Sequence, residues 1–121
     1  DSIIENTVQY LKGHNYIDDY AFARAFVNDE INLKYSGKSL IMHRLLQKGV
    51  SRQISQEVLE EVYDDEKAFA TCMGLAEKKL NTTYRRDPHK DQVRKVVGFL
   101  QRRGYPYSMI RRVVEELLGW G

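Results

Sequence analysis

A short signature that ends one helix and opens the next recurs along this chain, and it restricts the fold more than any other feature. Tyr10-Leu11-Lys12-Gly13-His14-Asn15-Tyr16 and Phe99-Leu100-Gln101-Arg102-Arg103-Gly104-Tyr105 both place an aromatic–Leu pair before a positive helix end, then a turn residue, then Tyr. The middle copy, Leu45-Leu46-Gln47-Lys48-Gly49-Val50, is one residue shorter before its glycine. Glycine and asparagine take the left-handed backbone that a helix stop requires, so each copy reads as helix, stop and tight turn. Repetition of such units implies a helical array in which neighbours cover one another's apolar faces.

The intervening stretches carry helical periodicity. Ile4, Val8 and Leu11 form one apolar stripe of a first helix that stops near His14 and Asn15. Asp18 and Asp19 then cap a second helix with Phe22, Ala23, Phe26 and Val27, running toward Tyr35 and ending at Gly37. A third starts at Lys38 or Ser39, carries Leu40, Ile41, Leu45 and Leu46, and ends at Gly49. Ser51 caps a fourth with Ile54, Val58, Leu59 and Val62, and Asp64 or Asp65 a fifth with Phe69, Cys72, Met73, Ala76 and Leu80. Asn81 to Pro88 is a polar loop. Val93, Val96, Val97 and Leu100 mark a sixth helix up to Gly104, and Ser108 caps a seventh with Ile110, Val113, Val114, Leu117 and Leu118. Trp120 is either an interface anchor or, on the preferred reading, a cap on the last helix. No segment alternates with period two, and the chain has only two prolines, so the expected class is all-α.

With 42% hydrophobic residues the chain has enough apolar mass for a core, which a disordered chain lacks. No apolar run approaches the roughly 20 residues that cross a bilayer, so the chain reads as cytosolic, with no membrane partner. The single cysteine, Cys72, forms no internal disulfide and falls on an apolar stripe, where an inert buried thiol is expected. His14, His43 and His89 are scattered without metal-ligand spacing, so neither a metal nor another cofactor is expected. Gly37-Lys38-Ser39 imitates the end of a phosphate-binding loop, but Asn32 stands where that motif needs its first glycine, and a helix precedes it rather than a strand. Gly37 is therefore taken as a helix stop and Ser39 as a cap. Asp18 and Asp19 are read as helix-capping residues rather than catalytic carboxylates, and no nucleophile–base arrangement suggests an enzyme.

Charge is the strongest functional signal. Residues 1–66 hold seven basic and twelve acidic residues, a net of −5, whereas residues 67–121 hold twelve basic and five acidic, a net of +7. Lys78 and Lys79 end the fifth helix, Arg85 and Arg86 sit in the loop, Lys90, Arg94 and Lys95 lie on the polar side of the sixth, and Arg102 and Arg103 close it. Tyr84, Tyr105 and Tyr107 are interleaved. Arginine, lysine and tyrosine together suit phosphate contact and base stacking, or an acidic protein groove. The plainer reading is a solvated cationic face: Arg102 and Arg103 complement a helix end, and Arg111 and Arg112 can pair with Glu115 and Glu116. Arg85, Arg86, Lys90 and Arg94 are the better candidates for partner contact. Leu45 to Leu59 resembles a DNA-reading helix-turn-helix with Arg52, Gln53 and Gln56 at its tip. Glu57, Glu60, Glu61 and Asp64 follow, however, and would oppose phosphates.

Tyr16-Ile17-Asp18-Asp19 with Phe22-Ala23, Gly37-Lys38 opening a helix, Leu46-Gln47-Lys48-Gly49-Val50, and the closing Phe99 to Tyr105 with Ile110 together resemble the RecX regulators of the bacterial RecA recombinase. The resemblance implies tandem three-helix repeats forming a curved helical array. The end of a first repeat would fall at about residues 1–35, a second repeat at 36–81 and a third at 88–121, within the C-terminal portion of a longer protein. It further implies a non-enzymatic regulator of homologous recombination and the SOS response that binds the RecA filament on DNA. Binding would damp ATP hydrolysis, co-protease function and strand exchange. A direct, sequence-independent DNA-binding module is the alternative.

Overall fold

The computed structural model describes residues 12–119, with side-chain surroundings from residue 18 onward. Six helices follow one another: α1 Lys12–Asn32, α2 Lys38–Gln47, α3 Arg52–Val62, α4 Asp65–Asn81, α5 His89–Arg102 and α6 Tyr107–Leu117. Among the described residues there is no strand, and the class is all-α.

Two apolar clusters organise the helices. Ala23 and Val27 of α1, Ile41 and Leu45 of α2, and Ile54, Val58 and Leu59 of α3 close around the first, with Val50 from the α2–α3 turn. Ala68, Cys72 and Ala76 of α4, Val96 and Leu100 of α5, and Met109, Ile110, Val113 and Val114 of α6 close around the second, joined by Tyr105. Full burial of one such aliphatic side chain contributes roughly 1.5–3 kcal/mol, and each cluster draws on three consecutive helices. Tyr63, between α3 and α4, packs against both clusters.

The helix stops are built alike. Gly49 (φ +92°) and Gly104 (φ +94°) are left-handed. At the first, the Gly49 N–H donates to Leu46 O at 3.0 Å and the Val50 N–H to Leu45 O at 3.1 Å. At the second, Gly104 donates to Gln101 O at 3.0 Å and Tyr105 to Leu100 O at 3.2 Å. Both are Schellman closures, and each sets a buried residue after the glycine on the buried leucine of the last turn. Ser51 Oγ accepts the Ile54 N–H at 3.1 Å and Asp64 Oδ1 the Glu66 N–H at 2.9 Å, so the expected caps of α3 and α4 form.

Five sequence expectations are corrected. The backbone is helical from Lys12 through His14, Asn15, Asp18 and Asp19. No stop or cap forms there, because Gly13 and Asn15 inside a helix cost only about 1 kcal/mol each, whereas stopping would leave carbonyls without partners. The apolar stripe Ile4–Val8–Leu11 lies outside the described residues, as does Trp120. Gly37 is not a left-handed stop but the N-cap of α2 at φ −80°; the left-handed residue of that turn is Tyr35 (φ +54°). Ser39 is accordingly inside α2 rather than its cap. Pro106, not Ser108, occupies the N-cap of α6. Pro106 offers no side-chain acceptor, and its carbonyl accepts from the Met109 and Ile110 N–H groups at 3.1 and 3.0 Å, so the first turn closes on backbone alone.

Candidate partner-binding surface

The basic residues gather where α4 ends, the 82–88 segment turns, and α5 begins. Lys78 and Lys79 occupy the last turn of α4, where cations are favoured beside unpaired carbonyls. Thr82 Oγ1 donates to Lys78 O at 2.6 Å and the Tyr84 N–H to Lys79 O at 2.8 Å, folding the chain back at once. The turn is pinned to α5 by Gln92 Nε2, which donates to Tyr84 O at 2.9 Å. Arg85 and Arg86 are held outward on this turn.

Along α5, Lys90, Arg94 and Arg102 recur on one side, with Gly98 between the last two. Four residues of helix advance about 6 Å, which spaces these charges along a line. Thr83, Tyr84, Arg94, Lys95, Gly98 and Arg102 line one groove together with Asp87. Lys78, Lys79, Thr82, Thr83, Leu75 and Phe99 line the adjoining recess. Some of the charge is answered from within: Lys95 Nζ lies 2.9 Å from Asp87 Oδ2 and Arg94 Nη2 lies 3.4 Å from Asp91 Oδ1. Lys79 and Lys95 flank Tyr84, each 5.8 Å from its ring centre, and Lys79 is also 4.9 Å from that of Phe99. Tyr84 is thus half-buried between two cations. Among the described residues, Lys78, Arg85, Arg86, Lys90 and Arg102 have no carboxylate partner. Those five cations form the unneutralised part of the face.

Arg103 is placed apart from that face. Its guanidinium donates to the carbonyls of Lys34 and Tyr35, the latter at 3.4 Å, and it acts as a tie between the two units. Tyr105 joins it, its hydroxyl donating to Tyr35 O at 2.8 Å. Two backbone bonds complete the junction: the Gly37 N–H to Arg103 O at 2.7 Å and the Ser39 N–H to Gly104 O at 3.1 Å. The approach needs both glycines. A Cβ on Gly37 would lie 2.5 Å from the Tyr105 nitrogen, and one on Gly104 2.5 Å from Leu40 Cβ. Burial, with the nearby Cys72 and Tyr63 as smaller contributions, pushes the Tyr105 phenol upward, so it remains a donor.

Reasoning from sequence also missed a buried charge. The Glu30 side chain is only 2% exposed, and its Oε1 accepts from Ser36 Oγ and Arg44 Nη1, both at 2.7 Å. Burial raises this carboxyl, but the hydrogen bonds from Ser36 and Arg44, together with the charges of Arg44 and Lys34, outweigh it and hold the group below the usual carboxylate range. A periodicity scan registers Glu30 as one more polar helix residue; its partners are six and fourteen residues away and emerge only when α1, α2 and the turn meet.

The remaining candidates lie away from the cationic face. Cys72 is fully buried, and burial pushes its thiol up to about 12, as expected of an inert sulfhydryl. His89 Nε2 sits 2.9 Å from Leu118 O, and His43 is exposed on α2. Asp18 and Asp19 lie within α1; burial, then the charge of Asp18, raises the Asp19 carboxyl. At the tip of α3, Gln53 is engaged with Glu57, which also accepts from Tyr20, while Arg24 pairs with Glu61 at 2.9 Å. Arg112 lies over the Phe69 ring at 4.0 Å rather than pairing with Glu116. Among the described residues no group of three or more metal-ligating side chains is assembled, and no helix is long and apolar enough to cross a membrane.

Paired three-helix units, joined backbone to backbone, define an all-helical repeat protein. The family models narrow this: the second three-helix domain of RecX matches residues 18–59 and the third matches residues 65–114. The chain belongs to the RecX family. It is 32% identical over 120 residues to the regulatory protein RecX of Clostridioides difficile, covering 99% of this chain and 56% of that one. It is 34% identical over 118 residues to that of Clostridium botulinum strain Eklund 17B, covering 97% and 54%. The crystal structure of RecX from Lactobacillus salivarius superposes with a TM-score of 0.76 at 27% identity, covering 82% of this chain and 63% of that chain. The chain therefore spans about half the length of the curated relatives it matches.

Proposed function

We propose that this chain acts as a non-enzymatic regulator of the RecA–DNA filament, damping its ATPase, co-protease and strand-exchange activities in recombination and the SOS response. Membership of a family of regulatory proteins supports the regulatory part. The observation that carries the contact surface is the unneutralised cationic face of Lys78, Arg85, Arg86, Lys90 and Arg102, with Arg94 and Lys95 beside it in weaker internal pairs. The exposed Arg94–Asp91 pair contributes about 0–1 kcal/mol, so Arg94 can exchange to a partner's anion at little cost, whereas the Lys95–Asp87 pair is part-buried. Lys79 supports the face through Tyr84 and Phe99, and Arg103 contributes by holding the two units in register.

The test is RecA-catalysed, DNA-dependent ATP hydrolysis with the wild-type chain and with Arg85→Glu/Arg86→Glu/Arg94→Glu, beside binding of each to bare single-stranded DNA over a range of salt. Inhibition by the wild type at concentrations below its own DNA dissociation constant, lost in the folded triple variant, supports filament recognition through this face. Equal inhibition by the folded triple variant refutes the assignment. Inhibition only at concentrations that coat the DNA, with log affinity falling steeply against log salt, favours the direct DNA-binding module instead.

A further inference from the structure

The two three-helix units meet at a turn rather than across helix faces. Every extended helix–helix contact joins helices of one unit: α1, α2 and α3 with each other, and α4, α5 and α6 with each other. Between the units lies an open cleft of about 580 Å3, bounded on one side by Asn28, Asn32 and Ser36 and on the other by Lys67, Thr71 and Tyr105. The angle between the units therefore depends on the link at Tyr63 and Asp64 and on the junction at residues 33–37.

That junction is reciprocal. The turn offers the carbonyls of Lys34 and Tyr35 to the Arg103 guanidinium and the Tyr105 hydroxyl. It also offers the Gly37 and Ser39 N–H groups to the carbonyls of Arg103 and Gly104. Presenting acceptors and donors together requires an unusual backbone, and Tyr35 is left-handed at φ +54° without being glycine. Such a conformation persists only where surrounding groups impose it.

Within its own unit, the group that imposes it is Glu30. The Ser36 N–H donates to the Glu30 carbonyl at 3.0 Å, and Ser36 Oγ donates to Glu30 Oε1 at 2.7 Å, so Glu30 holds the residue after Tyr35 by main chain and side chain. Arg44 of α2 donates to the same carboxylate oxygen at 2.7 Å, and Lys34 Nζ lies 3.6 Å from Oε2. One buried carboxylate thus gathers the residue before Tyr35, the residue after it and the helix that follows. Apolar packing of similar volume is often as stabilising as a buried ion pair, so stability alone is a weak reason for a charge here.

We propose that Glu30 is a positioning residue: by fixing the 33–37 turn it sets the angle between the two units, and with it the direction in which the cationic face of α4 and α5 is presented beside α1–α3. The geometric part stands on the contacts above, whereas its consequence for binding rests on the proposal that the partner is the RecA–DNA filament.

The test measures the distance between spin labels at exposed positions of the two units, introduced by Gln56→Cys and Glu115→Cys, with and without Glu30→Gln or Ser36→Ala. Cys72 is buried and takes no label. The chain with an intact turn should give one narrow distance distribution, and each turn variant should broaden it at a temperature where circular dichroism shows full helix content. Ile54→Val is the control: it trims the core of the first unit and melts earlier without touching the turn, and its distribution should stay narrow. An unchanged distribution in Glu30→Gln overturns the assignment, as does a broad one with the turn intact or equal broadening in Ile54→Val. If Glu30→Gln does not fold, Ser36→Ala decides by the same criterion. Filament affinity of Glu30→Gln should fall with the fraction of molecules that keep the binding angle, about threefold if one third do. Unaltered affinity beside a broadened distribution refutes the link to binding. A wild-type chain that binds no filament removes the filament reading and leaves the geometric assignment to the distances.

Discussion

Substituting Gly104 by alanine separates two reasons for a glycine that are usually confounded. Gly49 and Gly104 have nearly the same backbone, φ +92° and +94°, in the same helix-stop motif. A Cβ at Gly49 meets nothing within 4 Å, whereas at Gly104 it would lie 2.5 Å from Leu40 Cβ and 2.6 Å from Leu40 N. Gly49→Ala therefore carries only the left-handed penalty, about 1–2 kcal/mol. Gly104→Ala carries that penalty and must also push α2 away. Doing so lengthens the bonds from the Gly37 N–H to Arg103 O and from the Ser39 N–H to Gly104 O, now 2.7 and 3.1 Å. At about 1 kcal/mol for each net hydrogen bond, and more where a donor is left buried without a partner, the total for Gly104→Ala is about 3–5 kcal/mol. Urea denaturation of both variants and the wild type, fitted with a common slope, measures the difference directly. Gly104→Ala should lose at least about 2 kcal/mol more than Gly49→Ala. Equal losses would refute the argument that the backbone contact between the units, rather than the turn alone, requires this glycine. A second readout follows from the same geometry: a folded Gly104→Ala protein should release Tyr35, so cleavage of the 33–37 turn by chymotrypsin should rise in that variant and not in Gly49→Ala.

Three further outcomes are expected. Glu30→Gln should destabilise by about 2–4 kcal/mol at pH 7, because it weakens charge-assisted bonds and strands Arg44 beside a buried neutral group. Since the folded-state pKa of Glu30 lies below its ordinary value, its contribution is present above the ordinary carboxylate pKa and is lost as pH falls through the folded value. Wild type and Glu30→Gln should thus converge in stability under acid, and parallel pH profiles would contradict this. Cys72, buried with its thiol near 12, should resist alkylation at pH 8 until global unfolding; labelling faster than unfolding would refute its enclosure. Ser51→Ala should cost about 1 kcal/mol through loss of the bond to the Ile54 N–H, and Ser51→Asp should restore most of it in thermal melts.

The sequence by itself determined the helices and most of their boundaries, because these depend on interactions within a few residues. Apolar spacing along α3, α5 and α6 located the inward residues Ile54, Val58, Val96, Leu100, Ile110 and Val113, all buried. The glycine stops at 49 and 104 and the caps Ser51 and Asp64 are equally local, and they form as read. The cationic cluster too was legible as charge, since Lys and Arg of the α4 end and the following turn are close in the chain before they are close in space. Local reasoning failed where competing local signals were weak. Gly13 and Asn15 hint at a stop, but nothing at that point opposes continuing the helix, and α1 runs on.

Only the tertiary structure decided which cations are free and which are committed. Arg103 is next to Arg102 in sequence, yet one is turned to the carbonyls of Lys34 and Tyr35 and the other stays on the open face. Adjacent helix residues point about 100° apart, so neighbours in the chain face different surroundings. The same holds for Gly37 and Gly104, 67 residues apart by number, whose absent side chains permit the two units to meet backbone to backbone. Glu30 acquires its character only from Ser36 and Arg44. Hydrophobic period and turn chemistry are properties of a segment, whereas contact between segments depends on how whole faces fit, which no short window of sequence contains.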